Sequence, residues 1–429
     1  MTQILPPSLA LPFSNETILK AIETNSGTTP FHLYSEERMQ AQSSRLKKSF
    51  EKVGLIFKNH FAVKALPNPH VMRILQSEGM GMDCSSVAEL MLCDQIGLSG
   101  TDIMFTSNNT SEDEFREALS RGAIVNLDDI THIDTLMRVG KPEVICCRYN
   151  PGAEKVGTGI IGNPVEAKYG MRKDQIIEAY ARLKSLGFTR FWLHAMLVSN
   201  ERDEAKLIEN ARILFSLAKE ITEKTGVEFE FINLGGGIGI PYRPTDHEVD
   251  IDIFVNGVKT EYDKNFAWNP KQPKIYMENG RYITGPAGTL ITRVLNIAEK
   301  HRNFVGVDAS MANLMRPGMY TTKNPDGSWD ECYHHITLLG KEERPLDHHY
   351  NVTGSLCENN DQFTRGRDLP HAEKGDIMVI HSSGAHGQAM AFQYNGKLRC
   401  AELLVRTDGT IEKIRRAETY DDLFATILK

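Results

Sequence analysis

Short apolar runs alternate with amphipathic stretches over roughly the first two thirds of the chain, and this alternation constrains the fold more than any other feature. Each run suits one strand, and helical spacing fills many of the stretches between them. Eight strands separated by helices over about 250 residues predict a closed (β/α)8 barrel, an α/β fold, with a doubly wound open sheet as the alternative. The eight runs are 55–65, 81–86, 102–107, 123–128, 143–150, 191–197, 229–237 and 274–279.

Three stretches between the runs carry clear helix signals. In 68–79, Asn68 can cap a helix, Pro69 fits its first turn and Gly79 can end it. The stretches 173–187 and 204–226 repeat apolar residues at helical spacing.

The pattern changes after about residue 285, where short β-like runs alternate with turn residues. We therefore expect the (β/α)8 barrel to extend only as far as the alternation lasts, over 31–285, and a mainly β C-terminal domain over 286–429. The segment 1–30 is expected to join the β domain. The β-like runs are 288–300, 303–310, 334–340, 376–383 and 398–406.

Composition excludes several classes of protein. The net charge is −7 and there is no basic block, so nucleic acid is not an expected partner. No apolar run approaches the roughly 18 residues that span a bilayer, so no membrane association is expected. The N-terminus does not resemble a signal peptide, and seven scattered cysteines suit reduced thiols in a cytoplasm. Without a CxxC or HExxH pattern, no metal is expected.

Lys64 stands where the apolar run "HFAVKALPNP" (60–69) reaches a turn. Burying an ammonium group without a partner is costly. Lys64 is therefore either a surface residue at a strand end or a residue kept there for chemistry.

Further polar and glycine residues follow the other apolar runs. In a (β/α)8 barrel the carboxyl ends of the strands form the active-site face, so these residues are expected to converge there. They are Lys64, Asp83, Ser107, Asn108, Arg148, His194, Ser199, Gly235 to Gly237 and Glu278.

Three consecutive glycines, Gly235 to Gly237, follow the run 229–237. Glycines there let backbone N–H groups approach an anion closely. No Gly-Lys-Ser/Thr follows, which excludes a P-loop, and Ile240 replaces the last glycine of a GxGxxG fingerprint. A phosphate cradle is the favoured interpretation, and a tight structural turn is the alternative.

The stretch 276–288 adds Glu278, Gly280 and Arg281. Gly280 and Arg281 could hold a phosphate or carboxylate, and Glu278 either forms a salt bridge at the rim or faces a basic ring nitrogen. A lysine, a phosphate cradle and a carboxylate for a pyridinium together are what pyridoxal 5′-phosphate requires. The carboxylate would keep the ring nitrogen protonated, and a lysine amine can bind the aldehyde.

Several sequence blocks then carry a family resemblance from about residue 30 to the C-terminus. In their order they resemble the barrel-fold (fold type III) pyridoxal-phosphate decarboxylases, and within them the diaminopimelate decarboxylases. The blocks are "FAVKALPNP", "GMDCSSVAEL", "RYNPG", "INLGGGIGIPY", "ENGRYI", "VDASMANLMRPGMY", "GSLCENNDQFTRGRDLP" and "GAHGQAMAFQYN".

The resemblance implies roles in cofactor binding. Lys64 corresponds to the lysine that forms the Schiff base, and Glu278 to the residue facing the pyridinium nitrogen. The remaining positions implied to bind the cofactor, several of them through its phosphate, are Asp83, His194, Ser199, Gly235, Gly236, Gly237, Gly280, Arg281 and Tyr394.

The resemblance also implies a substrate site completed by a second subunit. Cys357 would protonate the carbanion after CO2 leaves, and Glu358 would contact the substrate from the neighbouring subunit of a homodimer. A small buried hydrophobe is the alternative for Cys357. The positions implied to bind substrate, several of them through its distal carboxylate, are Arg281, Arg316, Tyr320, Glu358 and Tyr394.

An arginine fork matches a carboxylate bidentately, so Arg316 and Tyr320 favour diaminopimelate over substrates without a distal carboxylate. The alternative for Arg316 is an ion pair at a domain interface. The implied activity is decarboxylation of meso-2,6-diaminopimelate to L-lysine, the last step of lysine biosynthesis. The alternatives are a decarboxylase of ornithine, lysine, arginine or another amino acid, an amino-acid racemase and a non-catalytic homologue. Glu278 argues against a racemase, since racemases of this type usually place an arginine at the ring nitrogen.

Four positions depart from the family pattern. Met196 replaces the second histidine of His-x-His, and Val198 replaces a glycine before Ser199. Asn279 stands where proline is usual and His386 where tyrosine is usual. These departures bear on the choice of substrate and leave Lys64 intact.

Overall fold

The computed structural model describes residues 5–154, 164–267, 269 and 271–428. Within them the chain forms two compact units. The barrel unit comprises 40–239 and 249–282, and the β unit comprises the described residues of 1–39, 240–248 and 283–429. The first elements of the chain are helix α1 (Asn15–Thr24), strand β1 (Phe31–Ser35) and helix α2 (Glu36–Lys52).

Eight parallel strands close the barrel in chain order, and pairing of the last strand with the first completes it. Each predicted apolar run contains one of these strands, so the predicted barrel is confirmed and the open sheet is wrong. The strands are β2 (Phe57–Ala62), β3 (Gly81–Cys84), β4 (Ile103–Thr106), β5 (Ile124–Leu127), β6 (Ile145–Tyr149), β7 (Phe191–Ala195), β8 (Phe229–Asn233) and β9 (Lys274–Met277).

Helices connect the barrel strands, and their ends follow local sequence signals. Asn68 Oδ1 accepts a hydrogen bond from His70 N (3.0 Å), and Pro69 begins the helix that follows. Gly226 ends the longest helix with φ +64°, a conformation that favours glycine. The helices are α3 (Pro69–Ser77), α4 (Val87–Gln95), α5 (Glu112–Ser120), α6 (His132–Val139), α7 (Lys173–Ser185), α8 (Glu204–Thr225), α9 (Ile251–Phe266) and α10 (Arg281–Thr284).

Aromatic side chains pack among the barrel strands. The rings of Trp192 and Tyr276 lie 4.1 Å and 4.3 Å from the ring of Phe231. His60 is fully buried, and its ring lies 4.9 Å from that of Tyr276. Burial, with the positive charge of Lys58, lowers the pKa of His60 to about 4.

The buried histidine makes the stability of the protein pH-dependent. The unfolded chain takes up this proton first, because His60 has a pKa of about 6.5 when unfolded. The stabilising contribution of neutral, buried His60 to the free energy of unfolding is therefore fully present above about pH 6.5 and is lost as the pH drops towards 4. Between pH 7 and pH 5, the free energy of unfolding should fall by roughly 2 kcal/mol more in the unmodified protein than in a His60→Gln variant. Urea titrations at the two pH values measure the difference, and parallel losses in both proteins would contradict the assignment.

The β unit is built on one nine-stranded sheet with a separate two-stranded hairpin. In the sheet, β1 pairs parallel with β18 (Ala401–Val405) and antiparallel with β10 (Gly288–Glu299). Its strands confirm the mainly β character predicted for the C-terminal part. The remaining elements are β10 (Gly288–Glu299), β11 (Asn303–Val307), α11 (Arg316–Tyr320), β12 (Thr322–Lys323), β13 (Trp329–Asp330), β14 (Ile336–Leu338), β15 (His348–Thr353), β16 (Gln362–Leu369), β17 (Ile377–Ile380), β18 (Ala401–Val405), β19 (Ile411–Arg415) and α12 (Tyr420–Phe424).

Strand β1 belongs to the sheet of the β unit, although the predicted barrel range 31–285 includes it. Phe31 and Leu33 are fully buried there with Ile291, Val379 and Leu403. The predicted ranges 1–30, 31–285 and 286–429 stay predictions. Among the described residues, no helix combines the length and apolar character needed to cross a bilayer.

Candidate active site

Neighbouring barrel strands bring Glu278, Asn233 and His194 together. Glu278 follows β9, Asn233 ends β8 and His194 lies in β7. Asn233 Nδ2 donates to Glu278 Oε1 (2.6 Å), and His194 Nε2 lies 3.1 Å from Glu278 Oε2. All three side chains are buried, so the carboxylate has two polar partners inside the barrel.

The charge state of Glu278 is set by its neighbours. Burial by itself raises the pKa of a carboxyl group, but the charge and hydrogen bond of His194 act in the other direction. With the positive charges of Lys64 and Arg148 they lower the pKa of Glu278 to about 2. Glu278 is therefore a carboxylate at neutral pH and can hold a proton on a basic group facing it.

Asn126 on β5 orients His194. Asn126 Nδ2 lies 2.9 Å from His194 Nδ1 and 3.1 Å from Thr106 Oγ1. Asn126 thus holds one nitrogen of the His194 ring while the other, Nε2, faces Glu278.

Asp83 on β3 is a second buried carboxyl group at this end of the barrel. Burial raises its pKa well above the usual value, and the negative charge of Glu278 adds to the rise while Lys64 opposes it. No protein atom among the described residues hydrogen-bonds Asp83 Oδ1. A buried acceptor of this kind is suited to a ligand's donor.

Lys64 lies in a 3-10 helix, Val63–Ala65, directly after β2. Its side chain is exposed, and its positive charge acts on the titration of Glu278, Asp83 and Glu89. The lysine thus avoids the cost of burial and presents an amine among three carboxyl groups.

The three glycines after β8 leave no room for side chains. Gly235 and Gly237 have φ of +70° and +93°, which favour glycine. A Cβ on Gly236 would lie 2.5 Å from Glu278 O, and those on the other two would overlap the carbonyl oxygens of Ala195 and Val198. Only residues without a side chain therefore fit at these three positions.

Arg281 and Gly280 lie at the end of the same barrel. Arg281 is buried and begins α10. A Cβ on Gly280 would lie 2.7 Å from the Cβ of Ala65, next to Lys64. Close backbone approach between the segment after β9 and the segment after β2 therefore requires glycine at 280.

A second cluster lies in the β unit around Arg316, which is only 4% exposed. Its guanidinium carbon lies 5.5 Å and 5.6 Å from the ring centres of Tyr242 and Tyr320. Arg316 Nη2 donates to Cys332 Sγ (3.6 Å), and Nε has no hydrogen-bond partner among the described residues. We refer to Tyr242, Arg316, Tyr320 and Cys332 as the Arg316 cluster.

Cys357, Glu358 and Tyr394 come together elsewhere in the β unit. Cys357 N donates to Asn395 Oδ1 (2.8 Å), beside Tyr394 in sequence. Cys357 and Glu358 are exposed, and Tyr394 is 50% exposed. The alternative of a small buried hydrophobe at Cys357 is therefore wrong in this structure.

Comparisons with known proteins agree with the fold. Residues 36–285 match the family described as "Pyridoxal-dependent decarboxylase, pyridoxal binding domain". The chain belongs to the barrel-fold pyridoxal-dependent decarboxylases. The predicted family, enzyme class and pyridoxal 5′-phosphate cofactor are thereby confirmed.

Relatives match this decarboxylase over almost its whole length. Protein TabA of Pseudomonas amygdali pv. tabaci is 40% identical over 93% of this chain and 91% of that protein. Diaminopimelate decarboxylase of Methanothermobacter thermautotrophicus is 36% identical over 92% and 90% of the two chains. The crystal structure of diaminopimelate decarboxylase from Methanocaldococcus jannaschii with L-lysine has a TM-score of 0.85 and 27% identity, and covers 95% of this chain and 94% of that one.

The described residues of this decarboxylase fit its cofactor. In the glycine turn the N–H groups of Gly235 and Gly236 donate to Asn233 Oδ1 and Met196 Sδ, so Gly237 is the member whose N–H would bind a phosphate. Glu278 is charged and suits a pyridinium, and Lys64 supplies the amine for the aldehyde. Ser199, partly exposed, lies between the end of β7 and α8 and is available as a further phosphate donor.

Two departures from the family pattern have a structural account. Gly236 N donates to Met196 Sδ (3.3 Å), so the thioether lies against the glycine turn. Asn279 N donates to Asn59 Oδ1 (2.9 Å), and Asn59 Nδ2 donates to Asn279 O (3.1 Å). Proline at 279 would lack that N–H and could not donate to Asn59.

The sequence-based prediction missed Asn126 and Asn233, and it placed Arg148 at the active-site face without giving it a role. Asn126 orients His194, and Asn233 orients Glu278. Arg148 Nη1 lies 3.4 Å from Asp128 Oδ1. The positive charge of Arg148 also lowers the pKa of Glu278. The sequence signal for Asn126 and Asn233 was a polar asparagine within an otherwise apolar run.

Proposed function

We propose that this decarboxylase converts meso-2,6-diaminopimelate to L-lysine and CO2. The observation that carries the proposal is the Arg316 cluster, because Arg316 is a buried cation with no carboxylate within ion-pair distance among the described residues. An arginine of this kind fits a substrate carboxylate. The alternative for Arg316, an ion pair at a domain interface, has no carboxylate partner among those residues. Several relatives named diaminopimelate decarboxylase, 30–36% identical over most of the chain, point the same way.

The barrel residues would hold the cofactor. When bound, pyridoxal phosphate supplies an aldehyde that takes up the substrate amine and a protonated ring that accepts the electron pair left by CO2. Lys64 would hold the aldehyde until substrate arrives and would then release the product. Glu278 would keep the proton on the ring nitrogen, and His194 and Asn233 would keep Glu278 in place. The turn of Gly235 to Gly237, through the Gly237 N–H, and Ser199 would bind the phosphate.

The substrate's distal end would be recognised by charge. Arg316, Tyr320 and Arg281 would bind the distal carboxylate, and a terminal ammonium group would be repelled by the same arginines. Tyr394 and Glu358 would contact the rest of the substrate. Lysine and ornithine, which lack a distal carboxylate, would therefore be poor substrates.

Cys357 would donate the proton that replaces CO2 on Cα. We propose that it does so from the neighbouring subunit of a homodimer, in the cytoplasm, at the last step of lysine biosynthesis. Its exposure on the β unit, together with that of Glu358, supports a role across a subunit interface. The active sites would then be shared between two chains.

Mixing two inactive variants tests the shared site. Lys64→Ala and Cys357→Ala dimers should each be inactive, but a mixture that has exchanged subunits should recover about a quarter of the unmodified activity. Half of the dimers would be mixed, and each would rebuild one intact site. Recovery is measured as CO2 release after mild denaturation and refolding of the mixture. No recovery, with dimers present by sedimentation, would show that each chain supplies its own Lys64 and Cys357.

Product analysis tests the activity. Holoenzyme given meso-diaminopimelate should release CO2 and L-lysine in equal amounts. The same preparation should be given L-lysine, D-lysine, L-ornithine, D-ornithine and L-arginine separately, because Met196 and Val198 depart from the family pattern and protein TabA is also a relative. Turnover of one of these amino acids, but not of diaminopimelate, would keep the cofactor assignment and overturn the substrate.

A further inference from the structure

Cys332 contacts the cation that the proposed function depends on. Its Sγ accepts from Arg316 Nη2 at 3.6 Å, within the range of a sulfur hydrogen bond. Cys332 N donates to Thr321 Oγ1 (3.0 Å), and Thr321 directly follows α11, which begins with Arg316. The sulfur is thus held in place relative to the helix that carries the guanidinium.

The neighbouring acidic residue is kept away from Arg316. Glu331, immediately before Cys332, accepts from Arg367 Nη2 on Oε2 (2.9 Å) and from Arg365 N on Oε1 (3.0 Å). Both carboxylate oxygens of Glu331 are therefore engaged with β16. The side chain that reaches Arg316 from this segment is a thiol instead.

The other contacts of Arg316 also leave its charge in place. The rings of Tyr242 and Tyr320 attract a guanidinium through their faces without carrying a formal charge. Tyr242 is itself packed edge-on against His334, with ring centres 4.9 Å apart. A sulfur atom is a weak acceptor, so it orients one nitrogen of Arg316 without itself supplying a counter-charge to the cation.

We propose that Cys332 is a specificity-determining residue that positions Arg316 without neutralising it, so that the enzyme selects amino acids with a distal carboxylate. The proposal rests on the proposed function, in which Arg316 binds that carboxylate. A carboxylate at 332 would compete with the substrate for Arg316 and would instead favour a terminal ammonium group.

Substitutions of Cys332 distinguish loss of the orientation of Arg316 from neutralisation of its charge. In Cys332→Asp holoenzyme, KM for diaminopimelate should rise by about 100-fold while kcat changes by less than about threefold, because the lost contact binds the unreacting end of the substrate. The ratio of kcat/KM for diaminopimelate to that for L-lysine should fall by at least about 100-fold. Cys332→Ala should raise KM by about three- to tenfold, and Cys332→Ser should restore it.

Met319→Asp is the matched control. Met319 lies on the same helix as Arg316 and is 54% exposed, so the new carboxylate would be in water rather than against the buried guanidinium. Its KM for diaminopimelate should stay within about twofold of the unmodified value, since exposed charges are screened. An equal KM rise in Met319→Asp and Cys332→Asp would overturn the proposal.

Binding of pimelate, a seven-carbon dicarboxylate without amino groups, supplies a readout that does not depend on turnover. Calorimetry should show that Cys332→Asp weakens pimelate binding to the holoenzyme by at least about tenfold and that Cys332→Ser does not. Unchanged pimelate binding in Cys332→Asp would overturn the role of Cys332 even if diaminopimelate is the substrate. If Cys332→Asp does not fold, the KM of Cys332→Ala for diaminopimelate tests the proposal instead. A KM that is unchanged in Cys332→Ala, or that is raised equally in Cys332→Ala and Cys332→Ser, would contradict it. Failure of the unmodified enzyme to decarboxylate diaminopimelate, with pimelate binding still lost in Cys332→Asp, would instead overturn the proposed substrate alone.

Discussion

A Lys64→Ala variant should lose decarboxylation by at least about 10³-fold and should also lose the visible absorption of the lysine-bound cofactor. Lys64 follows β2 at the end of the barrel where Glu278 and Asp83 lie, and its charge acts on both. Lys64 is the residue proposed to supply the amine that the cofactor aldehyde requires. The absorption spectrum of the variant with added pyridoxal phosphate and its CO2 release measure the two losses.

Lys58→Ala is the control for this prediction. Lys58 lies on β2, the strand that precedes Lys64, but forms an ion pair with Asp102, so its ammonium is already engaged. The control should keep the cofactor absorption and most of the activity. A Lys64→Ala protein that kept both would contradict the assignment of Lys64.

An Arg316→Ala variant should lose roughly 10²- to 10³-fold in kcat/KM for diaminopimelate, with most of the loss in KM. Removing one partner of a desolvated charge pair has an effect of this size, and Arg316 is buried. Arg316→Lys should recover only part of the loss, because an ammonium keeps the charge but lacks the bidentate fork. Steady-state kinetics with diaminopimelate and with L-lysine measure the change in selectivity.

Arg365→Ala provides the comparison for Arg316→Ala. Arg365 also belongs to the β unit and stacks on an aromatic ring, 4.2 Å from the centre of Trp329, but it is not part of the Arg316 cluster. Its kinetics should change by less than about threefold. Equal losses in the two variants would mean that Arg316 stabilises the β unit rather than binding substrate.

The barrel could be predicted because its strands are local apolar runs at the spacing that a (β/α)8 fold needs. The position of β1 in the sheet of the β unit could not be predicted, since "FHLYS" has the pattern of any buried strand. Its partners β10 and β18 lie far away in sequence. Pairing over such separations depends on tertiary packing, which local patterns do not report.

The candidate active site could be predicted from the sequence where its chemistry requires an unusual residue. Lys64 at a strand end, three consecutive glycines and Glu278 after a strand each stand out in the sequence. The lack of a carboxylate partner for Arg316 among the described residues does not stand out in the sequence, because it depends on Glu331 being held by Arg367, 36 residues away. Asn126 was missed for the same reason: its importance comes from a hydrogen bond to His194, 68 residues away.

Competition between substrates tests the central claim most directly. Holoenzyme would be given equal concentrations of meso-diaminopimelate, L-lysine, L-ornithine and L-arginine in one vessel, and the consumption of each would be followed by mass spectrometry. Selection by a buried arginine predicts that diaminopimelate is consumed first, with a kcat/KM at least about 100-fold above those of the others. Consumption of lysine, ornithine or arginine at an equal or higher rate would contradict selection for a distal carboxylate.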